Sequence, residues 1–405
     1  MALAAEETIL AIAARFAVAD ELLAVEPFGA GHINDSYRLT YRVARAGPSP
    51  RGRVSAGATP LSPAVDGRSR SNGGVAGERY LLQRINAAVF RQPAELMENI
   101  CRVTAHIAQR LRSHGMPDVG RRVPTFIPAH DGAPYCRDEV GGWWRLQRFI
   151  ERTRTYEAPQ TPAHAEAAGR AYGEFQRLLT GLPGPPLHET IPDFHNTPLR
   201  YAALERAVAA DVCGRVAEAR SEIEFAFERR PLAGLLVGLQ RAGALPERIV
   251  HNDAKLSNVL MDVATGQALC VVDLDTVMPG LSLYDFGDMV RSMTCPAAED
   301  ETDLSKVRVQ MPLFAALARG YLRAARAFLN TTERAHLVAA GKLIALEQGV
   351  RFLTDYLSGD TYYKVHRPKH NLDRTRTQLK LVESIEQHEP AMQRVLDRLS
   401  RGVRP

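Results

Sequence analysis

The distribution of strand and helix signals constrains this chain more than any other feature. Strand-like runs are confined to the first 150 residues and to one island, Ile249–Val277, and the rest is spaced for helices. Near the start, Ile9, Ile12, Ala13 and Phe16 recur at helical spacing and predict a helix over 5–18. A strand from Leu22 to Phe28, a glycine turn at Gly29-Ala30-Gly31 and a second strand through Tyr37 and Leu39 follow. Tyr80–Ile85 and Trp143–Ile150 predict further strands. Leu96, Ile100, Val103, Ile107 and Leu111 predict a helix over 93–113. These signals predict an α+β fold of two lobes, a small mixed one over 1–150 and a larger, mainly helical one over 151–405. At 405 residues the chain exceeds the ~250–300 at which single cores stop growing, so two lobes are expected on length as well.

Beyond residue 150, Thr161-Pro162 reads as a capped helix start with proline at the first position. Asn330-Thr331-Thr332-Glu333 reads as a capping box opening one long helix towards Leu357, and a last helix is expected from Asn371 to Glu389. Residues 47–77 break the pattern with 7 Gly, 4 Pro and 5 Ser and no aromatic residue. Such a tract buries too little apolar surface to offset its ordering entropy, so it reads as a disordered insertion in a hairpin loop. It carries Arg51, Arg53, Arg68 and Arg70 against Asp66, which is +3 of the formal +5. The remainder is near neutral, which argues against a nucleic-acid binder. The five cysteines form no CxxC clip, and disulfides are not expected. With no basic leader before an apolar run and no apolar run of about 18 residues, the expectation is a cytoplasmic protein without a membrane span.

The chemistry concentrates in the island. His251-Asn252-Asp253-Ala254-Lys255-Leu256-Ser257-Asn258 precedes a short strand, and Asp273 follows the apolar run Leu269–Val272. Phosphoryl transfer needs positioning, magnesium and a carboxylate to accept the hydroxyl proton. Asp253 suits the base, and Asn258 with Asp273 offers oxygen ligands to Mg2+. Lys255 either offsets phosphate charge or is a surface lysine. Taken singly, Asp253 could cap a turn and Asn258 a helix; their joint spacing favours the catalytic reading.

These residues resemble the aminoglycoside phosphotransferase and choline kinase superfamily, with its protein-kinase-like fold, and within it the N-acetylhexosamine 1-kinases. The blocks that carry the resemblance are GAGHINDSY (29–37), YLLQRIN (80–86), HNDAKLSNVLMD (251–262), VVDLDTVMPG (271–280), YDFGD (284–288), RFLTDYLSGDTYY (351–363) and HNLDRTRTQLKLVE (370–383). The resemblance implies transfer of the γ-phosphoryl of ATP to the anomeric hydroxyl of GlcNAc or GalNAc. Asp253 then contacts that hydroxyl, and Asn258 and Asp273 bind Mg2+. A sugar and a nucleotide are the expected partners, with no nucleic acid, membrane or obligate protein partner. The alternative is another small-molecule hydroxyl kinase of this type, or a non-catalytic nucleotide-binding module.

Three places depart from a protein-kinase pattern. Asp285-Phe286-Gly287 spells a magnesium motif but does not directly follow a strand, and the resemblance implies that Asp285 braces the catalytic loop instead. In the glycine turn, Gly29 and Gly31 should cover the nucleotide phosphates, with Asn34 where a third glycine would stand, and Asn34 or Ser36 could donate to phosphate. The kinase lysine position falls at Gln83, while alternation sends Arg84 to the opposite face. On the acceptor side His32 either faces substrate or packs locally. Arg351 and Tyr362 are the preferred sugar ligands, because desolvated hydroxyls need paired polar groups. Asp355, Asp360 and Tyr363 lie in the same stretch.

Overall fold

A computed structural model describes residues 2–29, 34–42 and 77–401. Gly31, His32 and, apart from Gly77, the tract at 47–77 lie outside the described residues. The chain divides into two compact units, Met1–Asn86 with Phe126–Phe149, and Ala87–Thr125 with Ile150–Pro405. The helix at 93–113, which the sequence reading groups with the first 150 residues, therefore counts with the second unit.

The first unit begins with α1 (Ala2–Ala13) and continues through β1 (Leu22–Pro27), β2 (Asp35–Arg42) and β3 (Gly77–Ile85). After the excursion of residues 87–125 come β4 (Phe126–Ile127), β5 (Cys136–Arg137) and β6 (Trp143–Arg148). They form an antiparallel sheet in the order β1-β2-β3-β6-β4, with β5 also on β6. Strand alternation separates the faces. Tyr80, Leu82, Trp144 and Leu146 are buried against Ile9 and Ile12 of α1. Burying a side chain such as Leu82, 0% exposed, contributes roughly 1.5–3 kcal/mol. Ser36, Gln83, Arg145 and Gln147 stand on the opposite face. Arg84 lies over the Trp144 ring, away from Gln83, as alternation requires.

The second unit is helical around two small sheets. Its main helices are α2 (Pro93–Ser113), α3 (Pro162–Leu179), α4 (Thr197–Ala210), α5 (Ser282–Met293), α6 (Met311–Ala325), α7 (Leu337–Leu357) and α8 (His370–Arg401). In α2 the spacing of Leu96, Ile100, Val103 and Ile107 buries one face. α3 and α6 approach through glycines: a Cβ on Gly320 would lie 2.0 Å from the Glu166 carbonyl, and one on Gly169 2.5 Å from the Leu317 carbonyl. One sheet is β7 (Thr153–Arg154), β9 (Val259–Asp262) and β10 (Ala268–Val271). The other pairs β8 (Arg248–Val250) with β11 (Met278–Gly280).

Two helices differ from expectation. The capping box at Asn330 and Glu333 forms, but its helix ends at Ala335 and α7 starts afresh after His336. Both Glu333 oxygens also hold Arg248, at 2.7 and 2.9 Å, which ties this turn to β8. The last helix continues through Pro390 to Arg401, because Met392 and Leu396 bury beyond the proline. Among the described residues no helix is long and apolar enough to cross a membrane.

Candidate active site

The catalytic loop starts where β8 ends. Val250 pairs with Met278 of β11, and the chain then turns through Asn252, whose φ is +64°. Non-glycine residues rarely hold that conformation unless their surroundings impose it. Here Asp285, 0% exposed in the first turn of α5, imposes it: one carboxylate oxygen accepts the Asn252 N–H at 2.7 Å and the other the His251 N–H at 3.0 Å. Gln176 of α3 donates to Asp285 at 2.7 Å and accepts from the Tyr321 hydroxyl at 2.8 Å. The DFG sequence is thus a structural brace. Asn252 Nδ2 donates to the Thr276 carbonyl at 3.0 Å, and the Thr276 hydroxyl donates to the His251 carbonyl at 2.7 Å. His251 Nε2 donates to the Val272 carbonyl at 2.9 Å, and the Tyr172 hydroxyl donates to the Lys255 carbonyl at 2.8 Å.

These anchors deliver Asp253, about one-third exposed, among polar partners. Its Oδ2 meets Lys255 Nζ at 2.9 Å and Asn258 Nδ2 at 2.9 Å. Burial alone would raise the Asp253 carboxyl, but the Lys255 ammonium beside it and the Lys255 and Asn258 hydrogen bonds outweigh that and lower it to about 2. Asp253 in turn raises Lys255 above its ordinary value. Asn258 Nδ2 also bonds the Asp253 carbonyl at 2.9 Å, so its amide oxygen points to the other side. Asp273 follows directly on Val272, whose N–H bonds the Asn258 carbonyl at 2.9 Å; its φ is +59°. The Asp273 carboxylate and the Asn258 amide oxygen are hard oxygen donors of the kind Mg2+ takes. Among the described residues there is no group of three His, Cys, Asp or Glu that could hold a metal ion. Asp275, two residues on, is buried in the following turn.

The other expected site residues lie as follows. Gly29 has φ +76°, which suits glycine in a turn. Asn34 Oδ1 accepts the Asn86 N–H at 2.9 Å, pinning the end of β3. Gln83 pairs in register with Ser36 and Arg145; its Nε2 donates to Ser36 Oγ at 3.1 Å, and its Oε1 accepts from Arg145 Nε at 3.1 Å. Gln83 puts an amide at the kinase lysine position, as read from the sequence, and the adjacent cation, Arg145, comes from β6.

Arg351 sits on α7 with its guanidinium 5.2 Å from the Phe194 ring and 5.8 Å from Tyr363, and donates to Gln348 Oε1 at 3.1 Å. Tyr362 is exposed at 60%. Asp355 serves the backbone instead of a ligand. It accepts the N–H groups of Thr361, Tyr362 and Tyr363 and the Asn371 amide, fixing the turn after α7. Asp360 pairs with Arg215. Sequence reasoning missed His195, which links the Asn252 carbonyl to Glu347 on α7. It also missed Arg200, whose Nη2 donates to the Phe194 carbonyl at 2.7 Å.

The phosphotransferase enzyme family model matches residues 58–338. Among solved structures, a microcompartment-associated aminopropanol kinase superposes with a TM-score of 0.53 at 16% identity, covering 97% of this chain and 98% of that one. An aminoglycoside phosphotransferase from Alicyclobacillus acidocaldarius gives 0.55 at 12% identity, with 96% of each chain covered. An amicoumacin kinase in complex with AMP-PNP and Ca2+ gives 0.51 at 11% identity, with 93% of each covered. At such identities the likeness is one of fold, and it agrees with the family match. The chain belongs to the phosphotransferase enzyme family.

Proposed function

We propose that this enzyme transfers the γ-phosphoryl group of ATP to the anomeric hydroxyl of an N-acetylhexosamine, giving the sugar 1-phosphate. The observation that carries the phosphoryl-transfer step is the Asp253 carboxylate: ionised, tied at Oδ2 by Lys255 and Asn258, and mounted on a loop braced by Asp285. Its Oδ1 is the oxygen left to receive a hydroxyl proton. Asn258 and Asp273 would hold Mg2+, which neutralises phosphate charge when bound. Lys255 then supplies a cation next to the base. An anomeric hydroxyl is more acidic than an ordinary alcohol, so Asp253 needs placement more than an elevated pKa. On the same reading Gly29, Gly31, Asn34, Ser36 and Gln83 serve the nucleotide, and His32, Arg351 and Tyr362 the sugar.

A second reading, an amino alcohol or aminoglycoside acceptor, draws support from the fold likeness to an aminopropanol kinase and an aminoglycoside phosphotransferase. The charge around Phe194 counts against it. Arg351 stacks on Phe194 and Arg200 bonds its carbonyl. Burial, and then the nearby Arg351, lower Arg200 below its ordinary value. Two guanidiniums against the single Glu347 carboxylate favour a neutral polyol over an ammonium. The test is ADP release across N-acetylhexosamines, hexosamines, amino alcohols and aminoglycosides, with product position read by 31P NMR. A 1-phosphate from GlcNAc or GalNAc supports the reading. Turnover confined to amines contradicts it.

A further inference from the structure

Buried at 7% exposure, His195 lies between a side-chain carboxyl oxygen and a backbone carbonyl. Nδ1 is 2.8 Å from Glu347 Oε1, and Nε2 is 3.1 Å from the Asn252 carbonyl. The Asn252 carbonyl offers no proton, so Nε2 must donate to it, while Nδ1 meets the Glu347 carboxyl. Glu347 is itself 1% exposed. Burial alone would raise the Glu347 carboxyl, but the charge and hydrogen bond of His195 lead the effects that hold it lower. The Thr197 hydroxyl donates to the other Glu347 oxygen at 2.5 Å. The imidazole is packed against Phe194 at 4.7 Å and Tyr284 at 4.8 Å between ring centroids, which fixes its orientation.

The two ends of this bridge matter. Asn252 immediately precedes Asp253 and is held at positive φ, so a shift of its carbonyl rotates the peptide that carries the base. Glu347 lies one helical turn before Arg351 on α7, and Arg351 stacks on Phe194, the neighbour of His195.

We propose that His195 is a positioning residue for phosphoryl transfer: its ring ties the Asn252 carbonyl to Glu347 on the Arg351-bearing helix and so sets the placement of Asp253. The inference rests on the phosphotransfer reading above for its catalytic consequence, but not for the donating Nε2.

The experiment compares wild type, His195→Gln, Glu347→Gln and Thr197→Val, with histidine side chains labelled with 15N. In the wild type at neutral pH His195 Nε2 should show a protonated shift. Misplacing the base should lower kcat by about 10- to 100-fold in both His195→Gln and Glu347→Gln, with the nucleotide KM little changed. Thr197→Val removes a Glu347 bond without touching the Asn252 link. It should keep kcat near wild type even where urea unfolding shows lost stability. An unprotonated His195 Nε2 in the wild type overturns the proposal. So does a kcat that stays at wild type in folded His195→Gln or Glu347→Gln, or one that falls in step with stability across all three variants. Should wild type phosphorylate no acceptor, the phosphotransfer reading fails instead, and the 15N shifts still decide the protonation of His195.

Discussion

Asp285 accepts the backbone N–H groups of His251 and Asn252 at 3.0 and 2.7 Å, so a residue 32 positions downstream of Asp253 holds the loop that presents it. Replacing Asp285 with Asn puts an NH2 against a backbone donor and leaves a buried N–H unsatisfied, at a cost of about 1–3 kcal/mol. The expected outcome is a lower urea midpoint together with a kcat reduced by about 100-fold through misplacement of the loop. Urea unfolding and steady-state kinetics on the same preparation check both parts.

The close approach of α3 and α6 is a separate test of packing. Gly320→Ala places a methyl carbon 2.0 Å from the Glu166 carbonyl, far inside contact distance. The helices must separate, and overpacking of this kind costs about 1–3 kcal/mol. The expected result is a reduced unfolding midpoint with nucleotide affinity unaffected, read by urea denaturation and calorimetric titration.

Asp253 also makes a pH prediction. Its carboxyl lies below the usual carboxylate value of 3.8, at about 2. A depressed carboxylate contributes stability above its unfolded value and loses it as pH falls through the folded one. Asp253 is therefore ionised throughout the neutral range, and the acid limb of kcat/KM above pH ~4 should not be its titration. Lys255→Met removes the largest lowering influence. It should bring an acid limb up towards neutrality and reduce kcat. Profiles across the acid and neutral range for both proteins decide the point.

What the sequence reveals, and what it hides, follows the range of the interactions. The β9–β10 hairpin and α2 rest on local patterns: a glycine at φ +66° at position 266, and one apolar face on 93–113. Asp253 and Asn258 were legible for the same reason, being five residues apart. The break at His336 and the run through Pro390 were not, because local capping and proline rules yield there to packing of the second unit. Nor were Gln176, Tyr172 and His195 legible. They reach the loop or its brace from 109, 83 and 57 residues away, and such partners leave no periodic trace in one sequence. Gln83 was found, but Arg145 was not, since only the β3–β6 register shows that it stands opposite.

On the acceptor side, Arg351→Ala should raise the acceptor KM by roughly 10- to 100-fold, the size of a lost charged hydrogen bond, and leave the nucleotide KM unchanged. Tyr362→Phe removes one neutral hydroxyl and should cost only about threefold to tenfold. A matched rise in both KM values after Arg351→Ala would instead mark α7 as a purely structural element.

The role of Asp253 as base is tested most directly by single-turnover phosphoryl transfer from ATP in wild type and Asp253→Asn, with the nucleotide Kd determined in parallel. The rate should be lower by about 10²- to 10⁴-fold in the variant at nearly unchanged Kd, because the carboxylate acts on the acceptor proton and not on nucleotide affinity. A variant that transfers at the wild-type rate would contradict that role.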